Sequence, residues 1–130
     1  MSIDQLNSEE LKKRTKDFAH RCVRLAMALP NTQLGNHLRG QLIRCFTSVA
    51  SNYRAACIAQ SKASFISKLS IVIEEADEFY FWLEFIIDEK LLNILVVEPL
   101  LQEAKELIAI FIASRKTARL ARREDLPIDD

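Results

Sequence analysis

Residues 66–87, ISKLSIVIEEADEFYFWLEFII, decide the fold. Ile66, Leu69, Ile73, Ala76, Tyr80, Leu83 and Ile87 recur along it every three or four residues. That period fits one face of an α-helix and not a strand, whose faces alternate every second residue. Three other segments carry the same period: Leu11, Phe18, Cys22, Leu25 and Leu29; then Leu38, Leu42, Phe46, Val49, Tyr53 and Ala56; then Leu100, Ala104, Leu107, Phe111 and Ala118. Four such stripes are satisfied by burial on one another. The expected architecture is an all-α, antiparallel, up-down-up-down four-helix bundle that uses residues 1–130 as a single domain.

The punctuation between the stripes sets the expected boundaries. The first helix should span about 8–29, with Asn7 as its cap and Glu10 as the capping-box partner, and Pro30 should stop it. The second should span 33–59. Gly35 and Gly40 lie early in it, where they weaken the helix or admit a close backbone approach. The third should span 62–89. Glu98-Pro99 should open the fourth, 99–122, with proline in the first turn. An acidic tail, 124–130, should fray. Connections this short favour antiparallel neighbours.

Composition narrows the function classes. The 18 basic and 18 acidic residues cancel, so no whole-molecule field draws in nucleic acid, and any such contact must come from a local patch. Cys22, Cys45 and Cys57 are an odd set without metal-ligand spacing; they read as buried free thiols in a reducing compartment. The polar, acidic start MSIDQLNSEE is unlike a secretory signal, and no apolar run reaches the roughly 20 residues that span a bilayer. A cytoplasmic protein with no membrane contact is expected. No Ser, Cys or Thr nucleophile stands in motif spacing with a histidine and a carboxylate, so no catalytic residue and no cofactor is assigned and the chain is expected not to be an enzyme. The acidic run Glu74, Glu75, Asp77 and Glu78 lacks the Glu-x-x-His pairs of carboxylate-bridged metal bundles, since neither His20 nor His37 has a glutamate three residues earlier. It reads as a solvated face or an inter-subunit ion-pair edge, and both histidines as ordinary edge residues.

The segment Leu38–Gln60, LRGQLIRCFTSVASNYRAACIAQ, resembles the signature region of the 23S rRNA-intervening-sequence protein family, also called four-helix-bundle proteins. Arg44, Thr47, Ser48, Val49, Ala50, Asn52, Tyr53 and Arg54 match its pattern. Ser61–Leu83 adds a Phe-Ile-x-Lys-Leu run, Glu-Ala-Asp-Glu and Tyr-x-Trp-Leu. The likeness covers about Asp17 to Leu120. Ala55 departs from it, because the family usually has glutamate there. The resemblance implies a four-helix bundle assembled into a ring, often a pentamer, with no enzymatic activity. It also implies a distant kinship to the accessory protein of diversity-generating retroelements, which binds nucleic acid and a reverse transcriptase.

Two surfaces stand out from the periodicity. Taking about 100° per residue, Ile71, Phe81, Trp82 and Phe85 fall about 120° or more from the centre of the third stripe and should point outward. Large apolar groups on an outer face mark an interaction surface, here the candidate subunit interface. Lys116, Arg119 and Arg123 project from one side of the fourth helix, and Lys12, Lys13 and Lys16 lie near the start of the first. Together they are the candidate nucleic-acid site, a basic end of the bundle; the alternative is that the late cations serve the helix dipole. Arg44, Ser48, Asn52 and Tyr53 are read as structural polar residues that fix helix register. The function expected is an oligomeric scaffold or adaptor that binds itself and RNA or another nucleic acid. The competing reading is a pure protein–protein module that partners a polymerase or a ribosome-associated protein.

Overall fold

The computed structural model describes residues 3–124, with side chains over 7–121. Four helices follow one another: α1 (Ile3–Met27), α2 (Gln33–Cys57), α3 (Lys62–Asp88) and α4 (Ile94–Glu124). Among the described residues there is no strand. The fold is an all-α four-helix bundle.

The helix ends show why the breaks fall where they do. Thr32 is extended and its hydroxyl accepts from the Gly35 N–H at 3.0 Å, which caps α2. Gly35 is buried there because a Cβ would lie 1.9 Å from the Pro30 carbonyl oxygen. Ser61 caps α3 in the same way, accepting from Ser64 N–H. At the other end of α3, Leu91 N–H reaches Ile86 O and Lys90 N–H reaches Ile87 O. This double closure is a Schellman motif, with Lys90 in the left-handed region at φ 55° where glycine is usual. Arg39 closes α1 from outside: its guanidinium donates to the carbonyls of Ala26 at 3.2 Å and Leu29 at 2.6 Å. Carbonyls at the end of a helix lack the i+4 donor of its interior; here Ala26 O shares Leu29 N–H and the Arg39 guanidinium.

Three expected boundaries are corrected. α1 begins at Ile3, so Asn7 is inside the helix and caps nothing. It stops as an α-helix at Met27, while Ala28 and Leu29 tighten into i→i−3 bonds to Leu25 and Ala26, and Leu29 stays buried. α4 begins at Ile94, five residues before Pro99. Asn93 caps it, with Oδ1 accepting from Leu95 N–H at 2.9 Å. Pro99 can supply no N–H to the Leu95 carbonyl, but Leu95 is 75% exposed and water can serve that group. Glu124 is helical; the remainder of the expected tail, 125–130, lies outside the described residues.

Three rings fill the middle of the core. Phe46 meets Phe18 with centroids 4.6 Å apart and Phe79 at 4.9 Å, all edge-to-face. Leu38, Leu42, Leu69, Leu83, Ile86 and Leu107 are sealed around them. On α3 the sealed line is Leu69, Val72, Ala76, Phe79, Leu83 and Ile86, one residue round from the expected stripe, and Ile66, Ile73, Tyr80 and Ile87 are half-buried beside it. The shift has a simple cause: α3 carries apolar residues on most of its circumference, Ile71, Val72 and Ile73 in one run and Phe85, Ile86 and Ile87 in another, so apolar spacing alone does not single out the sealed line. Contacts run in opposite order along α1 and α2, and along α2 and α3. Phe18 meets Phe46 while Ala26 meets Arg39, and Arg44 meets Glu78 while His37 meets Trp82.

The bundle is least tightly joined between α1 and α4. That seam is bridged by ion pairs, Arg14 to Glu106 at 2.7 Å and Arg21 to Glu103. Toward the end of α4 it opens into a groove of about 720 Å³ with Leu11, Tyr53, Phe65 and Ile110 among its walls.

Candidate functional site

Arg44 sits at the centre of a polar cluster on the α2–α3 side. Its guanidinium donates to Glu75 at 2.9 Å and to Glu78 at 2.6 Å, one helical turn apart on α3, and to Gln41 on its own helix. The Cys45 thiol lies 3.4 Å from the same Glu78 oxygen. The Arg44 hydrogen bond first, then Cys45, holds the Glu78 carboxyl below the ordinary carboxylate range against a partial desolvation. Burial, followed by Glu78, pushes the Cys45 thiol up to about 12. Glu75 and Glu78 are thus partners of α2 within one chain. The acidic run divides: Glu75 and Glu78 find their counter-charge on α2 of the same chain, while Glu74 and Asp77 are exposed, as a solvated face requires.

Cys45, Glu75 and Glu78 present ligand atoms within 4.8 Å of one another. As a cation site the set is already answered. Arg44 bridges both carboxylates, and a thiol held protonated is a poor ligand. The other matching polar residues act locally. Asn52 Nδ2 donates to the Ser48 carbonyl at 2.9 Å and to its hydroxyl at 3.1 Å. Tyr53 is buried, its ring 5.5 Å from that of Phe111, and burial raises its hydroxyl pKa.

The four apolar residues singled out on α3 divide. Ile71 and Phe81 are exposed, Phe81 by 51%. Trp82 and Phe85 do not point straight out; both are half-buried against the core edge. Phe81, Trp82 and Phe85 pack on one another with centroids 5.0 to 6.2 Å apart, and His37 of α2 lies edge-on to Trp82 at 5.7 Å. The Trp82 indole N–H is buried without a hydrogen-bond partner of good geometry, and the Glu78 carboxylate one turn earlier feels its dipole. The sequence pattern missed the larger extension of this surface. Met27, Leu34, Ile94, Leu95 and Val96 are all exposed, Met27 by 64%. They belong to the end of α1, the start of α2 and the start of α4, the same end of the bundle as Trp82 and Phe85.

The basic residues also divide. Arg14, Arg21, Arg39, Arg44 and Arg115 are committed to contacts within the fold. On α1, Lys12 and Lys16 turn toward α2, where they line a groove of about 320 Å³ with His20 and Arg54. Lys13 turns toward α4 and lies with Asp17 and Glu103. Lys116 and Arg119 are exposed on α4. Lys12 and Lys16 thus lie on the α2 side of α1 and Lys13 on its α4 side, and the Arg123 side chain lies outside the described residues. His20 and Arg54 are not among the expected site residues. The row Lys12, Lys16, His20, at four-residue spacing, is the signal that could have found the groove.

A sequence model of the 23S rRNA-intervening sequence protein family matches residues 8–113. The chain belongs to that family. The matched region holds the whole of α2 and α3, with Arg44, Glu75 and Glu78, and most of α1; Lys116 and Arg119 lie beyond it. The fold is similar to a crystal structure, at 1.70 Å resolution, of a protein with unknown function from the S23 ribosomal protein family of Bacteroides thetaiotaomicron VPI-5482. The TM-score is 0.77 and the identity 33%, over 84% of this chain and 97% of that one. No curated protein matches. In this member of the 23S rRNA-intervening sequence family, no helix among the described residues is long and apolar enough to cross a membrane.

Proposed function

We propose that this protein is a non-enzymatic scaffold that assembles with itself, as a ring, and binds RNA or another nucleic acid. The observation that carries the reading is the set of exposed apolar residues at one end of the bundle, Met27, Leu34, Phe81 and Ile94–Val96. A monomer gains nothing by leaving that many large apolar groups in water, whereas a second copy covers them. The nucleic-acid part is supported by cations that no carboxylate neutralises among the described residues, Lys16 and Arg54 among them.

The test is solution mass by light scattering, for the wild type and for Ile71→Glu with Phe81→Glu. Both residues are exposed, so the helices should persist by circular dichroism while the assembly falls to monomer. A wild-type monomer, or a variant that assembles as before, would overturn the scaffold reading. Binding to RNA should weaken steeply with salt, and salt-indifferent binding would move the assignment to a protein partner.

A further inference from the structure

The nucleic-acid part of that function leaves the binding surface open, and the structure points to a place other than an end of the bundle. Between α1 and α2 runs the groove of about 320 Å³ that Lys12, Lys16 and His20 line from one side and Arg54 from the other. No carboxylate lines it, although acidic and basic residues balance over the chain. Lys12 holds Glu9 at 2.8 Å at the rim. Lys16, His20 and Arg54 make no ion pair or hydrogen bond among the described residues. The floor is shallow and small, formed by Ala19 and Ala50. Positive charge, unpartnered donors and a small-residue floor make a site for a chain of anions.

Which anion is decided by spacing and by two hydroxyls. Positions 12, 16 and 20 are successive i, i+4 neighbours, about 6 Å apart along the helix. That is close to the separation of successive phosphates on an extended strand. Thr47 and Ser51 line the α2 side and are exposed. Their hydroxyl hydrogens are already committed: Thr47 donates to the Ile43 carbonyl at 2.6 Å and Ser51 to the Ser48 carbonyl at 3.2 Å. What each still offers is an oxygen that accepts. An acidic peptide side chain has no donor to give it, and deoxyribose has none at the 2′ position; a ribose 2′-hydroxyl does. No Phe, Tyr or Trp lines the groove; the His20 ring and the Arg54 guanidinium are the flat groups that it offers to a base, and neither reads base identity by stacking alone.

We infer that the α1–α2 groove binds a single strand of RNA through its backbone, with phosphates on Lys12, Lys16 and Arg54 and ribose hydroxyls on Thr47 and Ser51. The inference rests on the nucleic-acid reading above and names its site.

The experiment is fluorescence anisotropy with a labelled oligouridylate of about 20 nucleotides, titrated from about 50 to about 200 mM salt. Three proteins are compared: wild type, Lys16→Gln with Arg54→Gln, and Lys116→Gln with Arg119→Gln. All four positions are exposed, and circular dichroism confirms the fold. Each phosphate neutralised on a single strand adds about −0.7 to the slope of log affinity against log salt. The groove variant should therefore be shallower by about 1.4, so that the wild type's advantage shrinks about sevenfold over that range, while the α4 variant keeps the wild-type slope. Oligodeoxyuridylate should bind the wild type about fivefold more weakly for each 2′-hydroxyl hydrogen bond it cannot make, and Thr47→Val with Ser51→Ala should abolish that preference. A groove variant with the wild-type slope overturns the groove and leaves the nucleic-acid reading standing. A wild type that binds neither oligonucleotide at low salt overturns both.

Discussion

Gly35 and Gly40 stand five residues apart in α2, and replacing each by alanine should move stability in opposite directions. By helix propensity alone both changes should help, by about 0.8–1.0 kcal/mol, because glycine has the largest conformational entropy to lose. Neither glycine has a positive φ, so backbone strain does not separate them. Their surroundings do. At Gly40 an added Cβ meets no atom within 4 Å, and the full propensity gain should be realised. A 130-residue domain unfolds with about 0.27 kcal/mol per kelvin of entropy near its midpoint, so Gly40→Ala should raise Tm by about 3–4 °C. At Gly35 the new methyl would lie 1.9 Å from the Pro30 oxygen and 3.1 Å from the Thr32 hydroxyl. Either the turn or the first turn of α2 must move by more than an ångström, and the Thr32 cap, worth about 1 kcal/mol, goes with it. Overpacking and cap loss together should cost about 2–4 kcal/mol, or a Tm lower by about 7–15 °C. Thermal unfolding followed by circular dichroism at one protein concentration measures both. A Gly35→Ala protein as stable as the wild type would refute the argument from close approach, and a Gly40→Ala protein that melts lower would refute the claim of open space.

Two further predictions concern the ends and sides of α3. Lys90 holds the left-handed position of the Schellman closure, so Lys90→Gly should stabilise by about 0.5–1 kcal/mol in urea denaturation, and a loss of stability would argue against that backbone conformation. Glu78 is held below the ordinary carboxylate value of 4.5, chiefly by Arg44. A depressed carboxyl contributes stability that is present above its unfolded pKa and is lost as pH falls through the folded one. Urea midpoints taken from neutral pH down to about pH 3 should therefore drop further for wild type than for Arg44→Met, and parallel curves would mean the pair carries no stability.

How much of this is legible in the sequence depends on whether the signal is local. The stripes around Phe18, Phe46 and Phe111 lie where periodicity puts them, because each helix there presents one face to the core. On α3 the periodicity is off by one residue, and Trp82 and Phe85 with it, because apolar residues stand on most sides of that helix and their spacing does not single out the buried line. Pro99 reads as a start signal because the residues before it, Ile94, Leu95 and Val96, lack a polar face; Asn93, the true cap, accepts from a backbone N–H two residues on, a bond that no pattern of apolar residues announces. The polar contacts are the least legible. Arg44 reaches carboxylates 31 and 34 residues away, and Arg39 reaches back to the last carbonyls of α1. The groove of Lys12, Lys16, His20 and Arg54 needs two helices at once. Each row is visible in the sequence, but only the antiparallel packing of α1 on α2 places them opposite one another.

The weak seam between α1 and α4 has a kinetic meaning. Each close helix pair in this bundle joins neighbours in sequence, across connections of a few residues, so little chain entropy must be lost before a contact is rewarded. Such a chain should fold fast, adding one hairpin to the next, with the ring of helices closed last. The Arg14–Glu106 and Arg21–Glu103 pairs then belong to the final step, formed after the rate-limiting barrier. Ionic strength should act mainly on the rate at which the closed bundle opens and hardly at all on the rate at which it forms.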